Sequence, residues 1–316
     1  MSKILVTGGS GFVGTTLCKH LIEQGYDVYS IDRYYKEIEG VTSIDLINSH
    51  YLPQHLKEIS PDVVIHLAAS HQLGKSVKDP AKYYNNNISF TITLLNAMVE
   101  ANIKYFVFAS SSSVFGNNNI VPQDETVPVN PINPYAKSKA VIEQLLPDYE
   151  KAYGLKYAVL RYFNVAGAMP DLSHGYTLNP ASHILPIACQ KLLKGETLTI
   201  NGNSYPTKDG TCERDYTHVY DIARATSMSM SYIMKNNVSD TFNIGRGTSV
   251  SNLDTVDTLN SIADTELKYE IKDSRPGDHA RAEADNRKAK DLLGWEPLFA
   301  LEDIVRHAYE WEKKNI

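Results

Sequence analysis

The chain has 316 residues, of which 42% are hydrophobic and 22% charged, with 18 glycines and 14 prolines. This composition excludes fibrous, low-complexity and coiled-coil proteins, and the length suffices for one large or two modest cores. A formal charge of −6 argues against a general binder of phosphate backbones.

Three cysteines, Cys18, Cys189 and Cys212, lie far apart with no Cys-x-x-Cys pair, which fits a reducing compartment. Residues 1–10 hold no charged leader followed by an apolar run, so no secretion signal is read. No apolar stretch reaches the roughly 18 residues a membrane span needs. The expectation is a cytoplasmic protein with neither membrane nor nucleic acid as partner. No metal ligand set is read.

Ile4-Leu5-Val6 is a short apolar run ending in Thr7-Gly8-Gly9-Ser10-Gly11. Phe12, Val13, Thr16, Leu17 and Leu21 then recur at helical spacing up to Gly25, so the pattern is strand, glycine turn, helix. Val28–Ile31 reads as a second strand closed by Asp32, followed by a short strand at 41–44 and a buried strand at Val63–Leu67. A helix over Ile88–Met98, a strand at Phe106–Phe108, a helix over Ala136–Ala152 and a strand at Ala158–Leu160 continue the alternation. Pro147 falls inside that last helix and predicts a kink or a stop and restart. Such alternation implies an α/β protein with a doubly wound, Rossmann-type parallel sheet covered on both faces. After Asn164 the regularity weakens. Residues 168–181 read as a loop, followed by helices over Ile184–Leu193, Val219–Met234, Leu253–Ala263 and Leu301–Lys313, and a strand at Thr197–Ile200. The expected division is a dinucleotide-binding domain at 1–167 and a smaller mixed α/β substrate domain at 168–316, with segments of the latter able to return to the former.

Gly8, Gly11 and Gly14 are spaced for a backbone that turns sharply and approaches a pyrophosphate, with the helix N–H groups from Phe12 and Val13 onward facing the phosphates. Asp32, at the end of the second strand, suits ribose hydroxyls and repels a 2′-phosphate, so NAD is favoured over NADP. Asp45 is placed to reach the adenine amine. Tyr135 and Lys139 are four apart and share a helix face. A tyrosine with a reference pKa of about 10 needs a fall of roughly 3 units to act as a base near neutrality, and a neighbouring ammonium favours that. Ser111, just past a strand end, can share a substrate oxygen with the phenolate.

These motifs stand in an order that identifies a wider likeness. Thr7–Gly14, His66-Leu67-Ala68-Ala69, Ser110–Gly116, Pro134–Lys139, Arg161-Tyr162-Phe163-Asn164, Tyr205–Val219 and Arg275-Pro276-Gly277-Asp278 follow one another along nearly the whole chain. The sequence resembles the extended short-chain dehydrogenase/reductase family and, within it, is similar to the UDP-glucose 4-epimerases. The resemblance implies NAD as cofactor, a UDP-sugar as substrate and reversible inversion of its 4-hydroxyl through a transient 4-keto sugar. It implies Ser111, Tyr135 and Lys139 as the catalytic trio, with Leu67, Ala68, Ala69 and Asn87 added to the cofactor contacts. His71, Asn164, His183, Arg214, Arg275, Asp278 and Ala282 would lie on the substrate side. It also implies a homodimer through the Tyr135 helix, whose face at Val141, Leu145 and Tyr149 is apolar. Dehydratases and decarboxylases of the family carry acids where this chain has Ser112 and Ser113, which argues against elimination and decarboxylation. His71, His183 and Asn201 stand where many relatives have Lys, Asn and an aromatic. Ala282 stands where a bulky Tyr often lies, and its small side chain leaves room for an N-acetyl group. The alternatives are a 4-epimerase of a UDP-pentose or UDP-uronate, or a non-catalytic protein that binds nucleotide sugars.

Overall fold

A computed structural model describes residues 2–33, 37–45, 51–118, 120–178, 180–274 and 280–316. In chain order the first part holds β1 (Lys3–Thr7), α1 (Phe12–Glu23), β2 (Asp27–Asp32), β3 (Thr42–Asp45), α2 (Leu52–Ile59), β4 (Val63–His66), α3 (Leu73–Lys78) and α4 (Pro80–Tyr84). A π-helical turn over Asn85–Ser89 leads into α5 (Phe90–Glu100), then come β5 (Tyr105–Ser111), a 3-10 turn over Ser112–Phe115, α6 (Pro134–Tyr153) and β6 (Lys156–Tyr162). The remainder is β7 (Asn164–Ala166), α7 (Ile184–Leu193), β8 (Leu198–Asn201), β9 (Glu213–Arg214), β10 (Tyr216–His218), α8 (Val219–Asn236) and β11 (Asp240–Ile244). It ends with β12 (Val250–Ser251), α9 (Asn252–Ala263), β13 (Tyr269–Lys272), β14 (Arg281–Ala282), a π-helical turn over Ala289–Leu293, and α10 (Leu301–Asn315).

Seven parallel strands form the main sheet in the order β11-β6-β5-β4-β1-β2-β3. The strand order reverses between β1 and β4, which makes that gap the topological switch point of a Rossmann-type fold. Side chains alternate along β1. Ile4 and Val6 pack with Leu17 and Leu21 of α1 and Ile222 and Met230 of α8, while Leu5 packs on the other face with Leu56, Leu94, Met98 and Ile142. A separate core joins α7, α9 and α10 to β8 through Leu185, Cys189, Ile200, Leu259 and Ile304. Small sheets β10-β7, β12-β9-β14 and β13-β8 complete this half.

The chain returns to the main sheet late. β11 pairs with β6, α8 packs on α1, and Trp295, fully buried, donates its indole N–H to the Asp221 carbonyl at 3.0 Å. The periodicity did not single out β11 or α2, because short runs such as Phe242-Asn243-Ile244 are broken by polar residues. At Pro147 the helix neither stops nor restarts: α6 is continuous through it. The proline removes one helical hydrogen bond, and its ring sits on the exposed side of α6.

Among the described residues no helix is long and apolar enough to cross a membrane, and no group of three or more His, Cys, Asp or Glu is placed to hold a metal ion. Replacing Trp295 by Ala leaves a large cavity under α8. The expected cost is about 3–5 kcal/mol, read from the urea midpoint at unchanged slope, with Trp295→Phe costing less.

Candidate active site

The glycine turn sits at the carboxyl end of β1, at the switch point. Gly8 has φ +77° and lies so close to the loop after β4 that a Cβ on it would come within 2.7 Å of the Ala68 nitrogen. A Cβ on Gly14 would meet the Gly8 carbonyl oxygen at 2.1 Å. Gly11 caps α1 and contributes no side-chain acceptor. The first N–H groups of that helix, from Phe12 and Val13, therefore have no intrahelical partner and face the crevice. Asp32 stands beside the turn and accepts from the Ser10 N–H at 3.1 Å. Asp45 pairs in register with Asp32; its side chain lies outside the described residues.

Behind the turn runs a buried relay that the sequence did not announce. The Thr91 hydroxyl donates to the Asn87 carbonyl at 2.6 Å, so the His66 ring donates to Thr91 from Nε2 at 2.8 Å and accepts from Thr7 at Nδ1 at 2.6 Å. Burial, then the charge of Lys139, pushes His66 down to about 3, which keeps it neutral. Asn87 completes the frame. Its Oδ1 accepts from the Ser70 N–H at 2.8 Å, and its amide donates to the Ser70 carbonyl at 3.0 Å and to Ser138 Oγ at 2.9 Å. The loop carrying Leu67, Ala68 and Ala69 is thereby fixed to α6. Only a histidine flanked by hydroxyl residues on neighbouring elements signals such a relay, and those residues are remote in sequence.

Ser111 ends β5, and Tyr135 and Lys139 lie one turn apart on α6, whose start is capped by Asn133 accepting from the Ala136 N–H at 2.9 Å. The Ser111 side chain is the neighbour that favours the ionised form of the Tyr135 phenol. Ser111 Oγ also accepts from the Ser113 N–H at 3.2 Å and the Ser113 hydroxyl at 3.0 Å. Lys139, 3% exposed, donates to the Ala109 carbonyl at 2.6 Å and lies 4.8 Å from the centre of the Phe108 ring. Burial raises Tyr135 to about 12, opposed by the Ser111 side chain, and lowers Lys139 to about 7, opposed by the Glu143 carboxylate.

Facing this trio is the second half of the molecule. Asn164 opens β7, and its N–H donates to the Asp215 carbonyl at 2.9 Å. His183 precedes α7 with its ring parallel to that of His71, at 6.2 Å between centres and 6° between planes. Tyr176 meets His183 edge-on at 5.5 Å and Phe12 at 5.6 Å. Phe12, Asn164, Tyr176 and His183 thus line one cleft. The protein around it, then His71, pushes His183 down to about 4, while His71 is lowered first by its surroundings and then by Lys139. Both rings nevertheless touch solvent at the cleft mouth.

Arg214 is in register with Ala282 on the small sheet and donates to the Glu213 carbonyl at 2.8 Å. Ala282, 2% exposed, packs in a cluster with Val114, Phe115 and Phe163. Arg275 and Asp278 lie outside the described residues. The three cysteines are free and buried, and burial followed by the Asp32 charge raises the Cys18 thiol to about 12.

A model of the NAD dependent epimerase/dehydratase family matches residues 4–245. The UDP-glucose 4-epimerase of Lactobacillus helveticus is 37% identical over 99% of this chain and 98% of its own length. The crystal structure of UDP-glucose-4-epimerase from Stenotrophomonas maltophila, with bound NAD and formylated UDP-arabinopyranose, has a TM-score of 0.95 at 32% identity and covers 100% of this chain and 99% of that one. The UDP-Glc/GlcNAc 4-epimerase of Campylobacter jejuni has a TM-score of 0.85 at 30% identity, covering 99% and 100%.

The turn leaves no space for a methyl group at residue 14. Gly14→Ala is expected to separate Gly8 from α1, lower stability by about 1–3 kcal/mol, and abolish dinucleotide retention, read from the absorbance ratio of purified protein.

Proposed function

The chain belongs to the NAD-dependent epimerase/dehydratase family, and from that premise we propose that it inverts the 4-hydroxyl of a UDP-hexose, interconverting UDP-galactose and UDP-glucose. The observation that carries this reading is the trio. Tyr135 lies one turn from the buried Lys139 on α6, with Ser111 at the carboxyl end of β5 favouring its ionised form, beside an uncapped helix N-terminus. The turn fits a dinucleotide, since its glycines leave no side chain between the backbone and a pyrophosphate. Gly8, Gly11, Phe12, Val13 and Gly14 would hold that pyrophosphate, Asp32 and Asp45 the adenosine, and Leu67, Ala68, Ala69, Asn87, Tyr135 and Lys139 the nicotinamide side. NAD bound there supplies a reversible two-electron acceptor for C4 of the sugar.

The protein's own groups do the proton work. Tyr135 as phenolate takes the proton of the 4-hydroxyl and later returns it to the same oxygen, after the keto sugar has turned its other face to the site. Ser111 donates a hydrogen bond to the same oxygen, and the Lys139 cation favours the phenolate. Ser112 and Ser113 offer no carboxyl group for elimination. The 4-keto sugar has to turn over between the two half-reactions. Binding must therefore be firm at UDP, through Asn164, His183, Arg214, Arg275 and Asp278, and loose at the sugar beside His71. The small Ala282 side chain supports use of N-acetylated UDP-hexoses as well. We include in this reading a homodimer through α6 and a cytoplasmic setting, the latter supported by the three free thiols.

Product analysis of purified protein with UDP-galactose tests the reading. UDP-glucose should form with no net NADH, and UDP-N-acetylgalactosamine should convert in parallel. No conversion by NAD-loaded protein would refute it. Tyr135→Phe should lower kcat by at least about 100-fold to 10,000-fold, the span of a lost general acid–base group. The acid limb of kcat should follow ionisation of Tyr135. Without its nearby cation the phenolate is harder to form, so Lys139→Met should move that limb to higher pH. Size-exclusion chromatography with light scattering checks the dimer.

A further inference from the structure

One buried carboxylate near the trio has no place in the steps above. Glu143 lies one turn beyond Lys139 on α6, on the same face of the helix. Its carboxylate meets Arg161 of β6 through both oxygens, with Nη2 at 2.7 Å and Nε at 3.2 Å, and also accepts from the hydroxyl of Ser110, the neighbour of Ser111 on β5. The two charged side chains are only 8% and 9% exposed. Arg161 is held further by the Phe115 ring, 5.0 Å from its guanidinium carbon.

We propose that Glu143 is a positioning residue for the epimerase reaction: held by Arg161 and Ser110, it keeps the Lys139 ammonium charged under Tyr135 and ties the Ser111 strand to the helix that bears Tyr135 and Lys139. The inference rests on the functional reading above only for what the ammonium does. Lys139 is otherwise poorly placed to hold a proton. Its hydrogen-bond partner is a neutral carbonyl and its neighbour is the Phe108 ring. The groups around it are the neutral His66 of β4, His71 in the following loop, and Tyr135 and Glu143 on α6, with Arg161 of β6 paired to Glu143. Among them Glu143 is the group that favours the charged lysine. Arg161 and Ser110 supply the carboxylate oxygens with charge-assisted and hydroxyl hydrogen bonds in the interior.

Two readouts test this. In protein carrying 13C-labelled lysine, with Lys139 assigned from the spectrum of Lys139→Met, the Lys139 titration should move to lower pH by about one unit in Glu143→Gln. The alkaline limb of kcat should move the same way. At a pH above the wild-type midpoint kcat then falls by up to about tenfold, while KM changes little. Glu143→Asp should restore the wild-type limb. Removing one partner of a buried pair destabilises, whereas replacing both is often neutral, so Glu143→Gln/Arg161→Met supplies the folded counterpart and should shift downward too, by less than Glu143→Gln because the Arg161 cation is lost with the carboxylate. An unchanged Lys139 titration in a folded variant overturns the proposal whether or not the protein epimerises UDP-galactose. A uniform loss of kcat with the limb in place also overturns it, since that is what a purely structural contact would give.

Discussion

The contact on which the site depends is the approach of one backbone to another at the switch point. Gly8 and Ala68 belong to loops that leave neighbouring parallel strands, and their main chains come close enough that a Cβ at Gly8 would sit 2.7 Å from the Ala68 nitrogen. Those loops diverge only after that contact, which opens a crevice over the sheet edge. The His66 relay keeps them in place. Thr7 extends from the end of β1 to His66 at the end of β4, and His66 in turn to Thr91 on α5. Because burial holds His66 neutral, the frame carries the same hydrogen bonds across the physiological range.

The electrostatics of the trio are set by competition between burial and charge. With Tyr135 at about 12, forming a phenolate near neutrality needs a fall of about 5 units, about 7 kcal/mol. A cation beside the phenol lowers that cost, and burial lets it act more strongly than it would in water. In the proposed reaction Lys139 and the oxidised nicotinamide supply such charges.

Much of this was legible in the residues. The glycine turn, the strand that feeds it and the Tyr135–Lys139 spacing are local patterns, and local patterns survive into structure with little revision. The seven-stranded sheet followed from the alternation of strands and helices, apart from its last strand. β11 was not legible because Asp240–Ile244 is short and its partner, β6, lies about eighty residues upstream, so no local period marks it. The relay through Thr7, His66, Thr91, Asn87 and Ser138 was hidden for a similar reason: five elements contribute one polar residue each. The continuity of α6 across Pro147 depends on which side of the helix the proline occupies, and one sequence does not give that.

The late return of the chain to its first sheet also governs how the protein is made. The face of β1 and α1 that carries Ile4, Val6, Leu17 and Leu21 is covered by α8, and Trp295 completes the same core. A nascent chain that has emerged only as far as β7 holds six of the seven strands, yet that face stays bare until at least fifty further residues arrive. Non-local pairing of this kind slows folding and leaves apolar surface open while synthesis continues. Both halves of the molecule must therefore mature together: the crevice above the sheet acquires its solid floor only when the segments beyond α7 have been made. A chain cut short before Trp295 would be a liability to the cell rather than a smaller binding protein.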